Sequence, residues 1–300
     1  VLFGIGDEQV RDQVVEAHQR AVGAVLGWVE SHAHTRMRRH GHIMCVDAAG
    51  IVVGMFRQHT SRRLDPQLHT HAVIANRVKA PDGRWLALDA RTVKMDQRAL
   101  SGLYHAGLRA ELTRRLGVRW HPAVNGISEM VGVDPEVLAE FSQRSGDIER
   151  RVGEKLDRFR TDLGREPTGR ERWRLEREAV LDSRPAKTHS HTAGELHAEW
   201  RSRLRALGYE PRHLVTATVG HIREATGIDQ ATVTGMVEGA LEALTERQST
   251  WRPAELVRHH FPTAPILLGQ AVLDGNDGVF VDQRLVVFDH FFGFEFLVFR

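Results

Sequence analysis

Cysteine and tyrosine are nearly absent from this sequence of 300 residues, which contains one cysteine, Cys45, and two tyrosines. A single cysteine excludes an internal disulfide framework and a cysteine-cluster metal site, and it fits a reducing compartment. The chain also lacks a secretory signal, because it opens VLFGIGDEQV without a basic start or a long apolar run. We therefore expect a cytoplasmic protein with no membrane insertion. Because the first residue is Val1 rather than methionine, we also expect the chain to be part of a longer protein.

The sequence also lacks a large excess of either charge, because it contains 41 Lys and Arg and 39 Asp and Glu, which gives a formal net charge of +2. This balance permits a polyanionic partner without demanding one. Histidine, in contrast, is abundant, with 18 residues that occur in clusters. Imidazole is the commonest protein ligand of transition metals, so the histidine clusters are the first candidates for a site.

Hydrophobic periodicity predicts an α+β fold in which an antiparallel sheet packs with helices and a helical region follows. Strands are expected in IMCVD and IVVGMF, paired around Gly50, and in residues 67–78, paired with RWLALD across the turn at 81–83. Helices are expected at 8–31, 93–116, 135 to about 163 with a break, 169–180, 193–207 and 229–246. The segment 262–300 holds seven of the twelve phenylalanines, an eighth is Phe261 directly before it, and the segment is assigned no function.

The most informative pattern is the pair His69 and His71 in the predicted strand 67–78. Residues two apart in a strand project from the same face, so both imidazoles can reach one metal ion. A third ligand would come from a neighbouring strand, which ends at 56–59, and three protein ligands are typical of a catalytic site. The alternative is a solvated or hydrogen-bonded pair of histidines without a metal.

Several further strings occur in order over most of residues 1–260: TSRRLDPQLHTHAVIAN, DGRWLALD, LYHAGLRAELTRRLGV, EFSQRSGDIE, GREPTGRE, SRPAK and STWRPAELVRHH. Together they resemble the TrwC/TraI-type (MobF) relaxases of conjugative plasmids. The resemblance implies an HUH endonuclease that nicks one DNA strand at an origin of transfer through a phosphotyrosyl intermediate. It also implies a divalent metal ion (Mg, Mn, Zn or Ni), single-stranded DNA and relaxosome accessory proteins as partners, and a C-terminal helicase region.

The resemblance also implies a domain organisation. Residues 1–130 would be the remainder of the relaxase palm, and residues 131–248 would be the helical fingers. Residues 249–300 would be a junction toward the helicase, with an atypical Phe-rich tail.

Two departures from the family pattern bear on activity. The family's nucleophilic tyrosines would lie upstream of Val1, while Tyr104 and Tyr209 are expected to be packing residues, so we expect this chain alone not to nick DNA. Alignment on the TSR string places Gln58 where the family has its first metal-binding histidine. The third metal ligand is therefore either Gln58, through its carbonyl oxygen, or His59 if a bulge rotates it inward.

The resemblance and the charge pattern also identify candidate DNA-binding residues, which are Arg62, Arg63, Asn76, Arg109 and Arg114. Arg62 and Arg63 flank the metal strand and are the first choice as phosphate clamps. The basic segment 32–42, with four histidines, is interpreted as a solvated loop or a phosphate-backbone contact.

Two alternatives to a nicking enzyme remain open. One is a non-catalytic remnant that binds single-stranded DNA. The other is a metal-dependent phosphodiesterase that uses water as nucleophile. That enzyme would need a further carboxylate or histidine beside His69 and His71, and only Asp65 is near in sequence.

Overall fold

A computed structural model describes residues 1–124, 127–182, 191–222, 230–246 and 294–299. The chain forms two compact units. Unit 1 comprises residues 1–7, 59–67 and 133–215, and unit 2 comprises residues 8–58, 68–132 and 216–300. Both helices and antiparallel strand pairs are present, which confirms the α+β class.

The elements follow one another along the described chain as two sets. The helices are α1 (Leu2–Ile5), α2 (Glu8–Ser31), α3 (Ala90–Met95), α4 (Gln97–Leu116), α5 (Pro135–Glu140), α6 (Gln143–Leu163), α7 (Gly169–Asp182), α8 (Ala193–Ala206), α9 (Pro211–Thr218) and α10 (Gln230–Thr245). The strands are β1 (His34–Arg39), β2 (His42–Asp47), β3 (Val53–Thr60), β4 (Pro66–Ala75), β5 (Val78–Lys79), β6 (Trp85–Leu86) and β7 (Phe294–Phe299).

The core of unit 2 lies between helix α2, strand β4 and helix α4. Apolar residues of α2 recur every three or four positions and are buried, as the periodicity predicts. Strand β4 alternates strictly in its second half, with Thr70, Ala72 and Ile74 buried and the residues between them only partly buried. One face of β4 therefore packs into the core, and the face carrying His69 and His71 does not.

The first β-hairpin lies at a different place from the one predicted. β1 pairs with β2 in antiparallel register from His34 opposite Asp47 to Arg39 opposite His42. The two-residue loop has positive φ angles at both His40 (49°) and Gly41 (81°), the combination that a tight type I′ hairpin needs. The predicted hairpin around Gly50 is wrong, because β3 instead neighbours β4 in a separate sheet.

The second predicted hairpin is confirmed only next to its turn, where Val78 pairs with Leu86 and Lys79 with Trp85. The predicted strand 67–78 is divided, because β4 ends at Ala75 and lies in a different sheet, between β3 and β7. β7 pairs in parallel with β4, with Phe294 opposite Thr70 and Phe299 opposite Ala75. Apart from β7, the predicted junction at 249–300 lies outside the described residues.

The expected single helix at 93–116 is divided into α3 and α4 at Asp96, which is buried. Its predicted end is confirmed, because Gly117 adopts the left-handed conformation with φ 63° and ψ 29°. No helix in the described part of the chain is both long and apolar enough to cross a membrane.

Unit 1 is built mainly of helices α5 to α8 with α1. Two capping boxes are present at the predicted helix starts: Thr168 with Glu171 at α7, and Thr192 with Glu195 at α8. Trp200 of α8 is fully buried and packs near Phe3 of α1. The domain boundaries expected at residues 130 and 248 stay predictions.

Candidate functional site

His69 and His71 lie side by side on the face of β4 that is turned away from the core of unit 2. Their ring centroids are 5.0 Å apart and the ring planes are inclined by 74°. The Nδ1 atom of His71 is buried, and no hydrogen bond reaches it from the described residues. The structure therefore brings together the two imidazoles that the sequence pairs.

Behind these histidines, the opposite face of β4 is tied to two helices through polar side chains. Thr70 Oγ1 lies 2.7 Å from His18 Nε2, and His18 Nδ1 lies 2.8 Å from the hydroxyl of Tyr104. All three residues are buried, with His18 only 1% exposed. Sequence reasoning did not identify His18, although a histidine on the apolar face of α2 was visible in the pattern.

The two candidates for a third metal ligand lie in different surroundings. Gln58 is a half-buried residue of β3 in unit 2. The His59 ring packs in unit 1 against Phe3, with centroids 5.3 Å apart. Within the described ranges, no three His, Cys, Asp or Glu side chains form a group that could hold a metal ion.

The turn between β3 and β4 is held by a dense set of hydrogen bonds. The Ser61 hydroxyl donates to Asp65 Oδ2 at 3.0 Å and accepts from the amides of Arg63 and Asp65 at 3.0 and 3.1 Å. Leu64 has a positive φ of 60°, and its carbonyl accepts a 2.6 Å bond from Trp200 Nε1. The turn is therefore fixed by its own atoms and by α8.

The carboxylate of Asp65 takes part in the bonds that hold this turn. It is 2% exposed and accepts a 3.1 Å bond from the guanidinium of Arg203. Arg203 also donates to the side chain of Glu140 at 2.6 Å. Burial and these bonds give Asp65 a structural role in positioning the turn.

Arg62 and Arg63 are both exposed on this turn. Arg63 Nε donates to Asp147 Oδ2 at 2.6 Å, and this bond lowers the pKa of the Asp147 carboxyl. Arg63 is therefore held by α6 while its side chain remains about half exposed. A preformed turn that presents two guanidinium groups suits phosphate recognition.

The two candidate DNA-binding arginines of α4 lie in different surroundings. Arg109 is only 6% exposed, and burial lowers the pKa of its guanidinium. This burial does not favour the predicted DNA contact at Arg109, which stays a prediction. Arg114 is partly exposed and bonds at 2.8 Å to Glu111, a fully buried carboxylate that also binds Arg20 and Arg115.

Asn76 lies in a bend directly after β4. Its Oδ1 atom is buried, and no hydrogen bond reaches it from the described residues. A buried amide oxygen without a donor is uncommon in folded proteins, so Asn76 keeps its candidacy as a ligand-contacting residue.

The histidine-rich segment 32–42 is not a loop, because most of it forms β1 and the hairpin turn. His32 stacks on Trp28 with centroids 3.4 Å apart, and burial lowers the pKa of its ring. His34 Nε2 contacts Asp47 at 3.2 Å. The hairpin also carries exposed basic residues, which are Arg36, Arg38, Arg39, His40 and His42.

Both tyrosines are engaged. Tyr104 is buried beside His18, and burial raises the pKa of its hydroxyl. Tyr209 donates a 2.7 Å hydrogen bond to Asp134, and this bond raises the pKa of Tyr209. Neither phenol is poised for ionisation near neutral pH.

The comparisons with known proteins agree with this architecture. The sequence profile of the TrwC relaxase family matches residues 1–207. The multifunctional conjugation protein TraI of Escherichia coli K12 is 31% identical over 210 residues, which is 67% of this chain and 11% of TraI. The chain therefore spans about a tenth of the length of the curated relatives it matches.

Solved structures of TrwC superpose on the same part of the chain. TrwC complexed with a 27-mer DNA that comprises the recognition hairpin and the cleavage site has a TM-score of 0.58 and 30% identity, covering 70% of each chain. A metal-bound TrwC structure with oriT DNA has a TM-score of 0.57 and 30% identity, covering 70% of this chain and 68% of TrwC. A metal-free TrwC structure with oriT DNA matches with a TM-score of 0.56.

The fold and the histidine-bearing strand define a conjugative relaxase domain. This chain belongs to the TrwC relaxase family.

Proposed function

We propose that this chain binds single-stranded DNA at an origin of transfer and holds a divalent metal ion beside one DNA phosphate. The observation that carries the proposal is the pair of imidazoles on β4, whose centroids are 5.0 Å apart. Family membership supports it, because TrwC structures are described as complexes with oriT DNA and as metal-bound.

The donor set suits a transition-metal ion held less tightly than by three histidines. His69 and His71 would supply two imidazole nitrogens, which suit Zn²⁺, Ni²⁺ or Mn²⁺. Gln58 is the better candidate for the third ligand, because the His59 ring packs against Phe3. An ion bound there would stabilise the charge that develops on a phosphate during strand cleavage.

DNA binding would use the fixed turn and the basic hairpin. Because the backbone of the turn at 61–65 is already fixed, only the side chains of Arg62 and Arg63 would need to be ordered on a phosphate, which reduces the entropic cost of binding. Arg38 and Arg39 of the hairpin add exposed positive charge. Asn76 and Arg114 remain additional candidates.

Nicking by the family's reaction needs a tyrosine that can attack the phosphate. Tyr104 is buried, and Tyr209 is bonded to Asp134. We therefore infer that the chain of residues 1–300 grips DNA without cutting it, and that the nucleophile belongs to residues outside it. The alternative of a phosphodiesterase that uses water has less support. Asp65, the carboxylate near His69 and His71 in sequence, is bonded to Ser61 and Arg203.

The cytoplasmic location, the relaxosome partners and the helicase region stay predictions.

The experiment measures fluorescence anisotropy of a labelled single-stranded origin oligonucleotide at several salt concentrations. The logarithm of the affinity should fall linearly with the logarithm of salt concentration, and Arg62→Ala should reduce the magnitude of that slope by about 0.7, the contribution of one phosphate contact on a single strand. Arg174→Ala, on exposed α7, is the matched control and should leave the slope unchanged.

Two results would count against the proposal. The absence of binding even at low salt would refute DNA recognition by this chain. Cleavage of the oligonucleotide by the chain with Mn²⁺ would refute the placement of the nucleophile outside it.

A further inference from the structure

A buried polar cluster lies directly behind the two candidate metal ligands in unit 2. Its members are His18 of α2, Thr70 of β4 and Tyr104 of α4, which we call the anchor triad. The three residues are 1%, 5% and 5% exposed, and the surrounding core is made of aliphatic side chains. Polar groups are costly in such a core unless they bond to one another, as they do here.

The anchor triad acts at a particular point of β4. Thr70 is the residue between His69 and His71, and it points to the opposite face of the strand. Its hydroxyl is 2.7 Å from His18, whose other ring nitrogen is 2.8 Å from Tyr104. The two helices are thus joined to the backbone segment that carries both imidazoles.

Hydrogen bonds and apolar contacts differ in how precisely they fix the position of a strand. An apolar contact tolerates small shifts along the strand, whereas a hydrogen bond fixes its two atoms in distance and angle. Metal affinity depends on ligand positions within about 0.5 Å. A bonded Thr70 therefore restricts shifts of the strand segment that carries both rings, and with it the position of both rings relative to Gln58 on the neighbouring strand β3.

We propose that His18, Thr70 and Tyr104 are positioning residues for the metal-binding pair. They hold β4, and with it both imidazoles, in a fixed position relative to the core and to the neighbouring strand β3 before an ion arrives. This inference rests on the proposed function, because it requires that the pair binds a metal.

The test replaces Thr70 by its isostere. Thr70→Val removes the hydroxyl without changing the volume, and Tyr104→Phe removes the second hydrogen bond. Thr70→Ser restores a hydroxyl and serves as the rescue variant. Val29→Ala, in the same core on α2, is the control for a loss of stability without a loss of the triad.

Two properties are measured for each variant of the full chain: Ni²⁺ affinity by calorimetry and the thermal unfolding midpoint. Thr70→Val is expected to weaken Ni²⁺ binding about tenfold or more, the usual effect of losing a residue that orients metal ligands. Thr70→Ser should bind within about threefold of the parent chain. Val29→Ala should lower the midpoint and leave the affinity unchanged.

The outcomes separate this inference from the proposed function. If the parent chain binds Ni²⁺ and both Thr70→Val and Tyr104→Phe bind it equally well, the positioning role is refuted and the metal site stands. If both variants fail to fold while Val29→Ala folds, the triad is a stability element and the proposal is refuted. If the parent chain binds no metal, the metal site and the inference both fail.

Discussion

The residue at position 58 sets the expected strength of metal binding, because it is the one departure from imidazole in the candidate ligand set. Gln58→His would replace a neutral amide oxygen by an imidazole and should raise Ni²⁺ affinity at least about tenfold. Gln58→Ala should lower the affinity. His59→Ala should not change it, because the His59 ring packs against Phe3. Calorimetric titration distinguishes these outcomes, and a loss of affinity with His59→Ala alone would identify His59 as the ligand.

His105 of α4 predicts how stability depends on acidity. Burial, together with the charge of Arg109, lowers the pKa of His105 from 6.5 to about 4. The unfolded chain binds a proton at the higher value, so this contribution to stability is present above pH 6.5. It is lost as the pH falls from 6.5 toward 4, with an upper limit of about 3 kcal/mol.

Urea unfolding of His105→Gln between pH 7 and pH 4 checks this expectation. The variant should lose less free energy of unfolding on acidification than the parent chain. His213→Gln, at an exposed position, is the control and should follow the parent chain. Equal acid sensitivity of His105→Gln and the parent chain would contradict the assignment.

Predictions for single residues succeeded where the two-residue alternation of a strand was enough to decide which face a side chain occupies. The alternation of β4 was sufficient to pair His69 and His71 on one face. The pattern of α4 did not reveal the burial of Arg109, because α4 is buried on more than one side, with the charged residue Glu111 also inaccessible. The sequence of a helix shows whether the helix is amphipathic. It does not show which of its arginines other elements of the fold will cover.

Two helix ends with the same backbone conformation provide a comparison at the scale of elements. Gly117 and Gly164 both end helices with φ 63°. A Cβ at Gly117 would lie 2.7 Å from the carbonyl oxygen of Ile222, whereas nothing lies within 4 Å of one at Gly164. Gly164→Ala should therefore cost only about 1 kcal/mol of left-handed strain. Gly117→Ala should cost about 1–3 kcal/mol more, because the backbone of residue 222 must move.

Thermal unfolding of the two variants measures the difference. If they were equally destabilised, the close approach of residue 222 to the end of α4 would be incorrect. A variant with serine at each position would share the same backbone strain and should repeat the order.

The sequence located most accurately the helices whose ends are marked by capping residues or by a terminal glycine. Capping residues fixed the starts of α7 and α8, and Gly117 fixed the end of α4. The first hairpin was misplaced because His40 is an unusual residue for a positive φ, so its two-residue loop carried no familiar signature. The interpretation of 32–42 as a loop failed for the same reason.

At the scale of the whole molecule, sequence reasoning could not find the grouping of the chain into units. Unit 1 joins residues 1–7 and 59–67 to residues 133–215, and no linear boundary can express that arrangement. The contacts responsible are side-chain bonds between distant segments, such as Arg203 with Asp65 and Trp200 with Leu64. Hydrophobic periodicity predicted the fold class, whereas only the coordinates showed these contacts.

The bond from Arg201 to the carbonyl of Ile5 spans 196 positions of the chain. During translation, at about 5–20 residues per second, the first segment would wait roughly 10–40 s before its partner helix leaves the ribosome. Leu2, Phe3 and Ile5 are buried in the folded protein, so in the nascent chain they would stay accessible to chaperones throughout that interval.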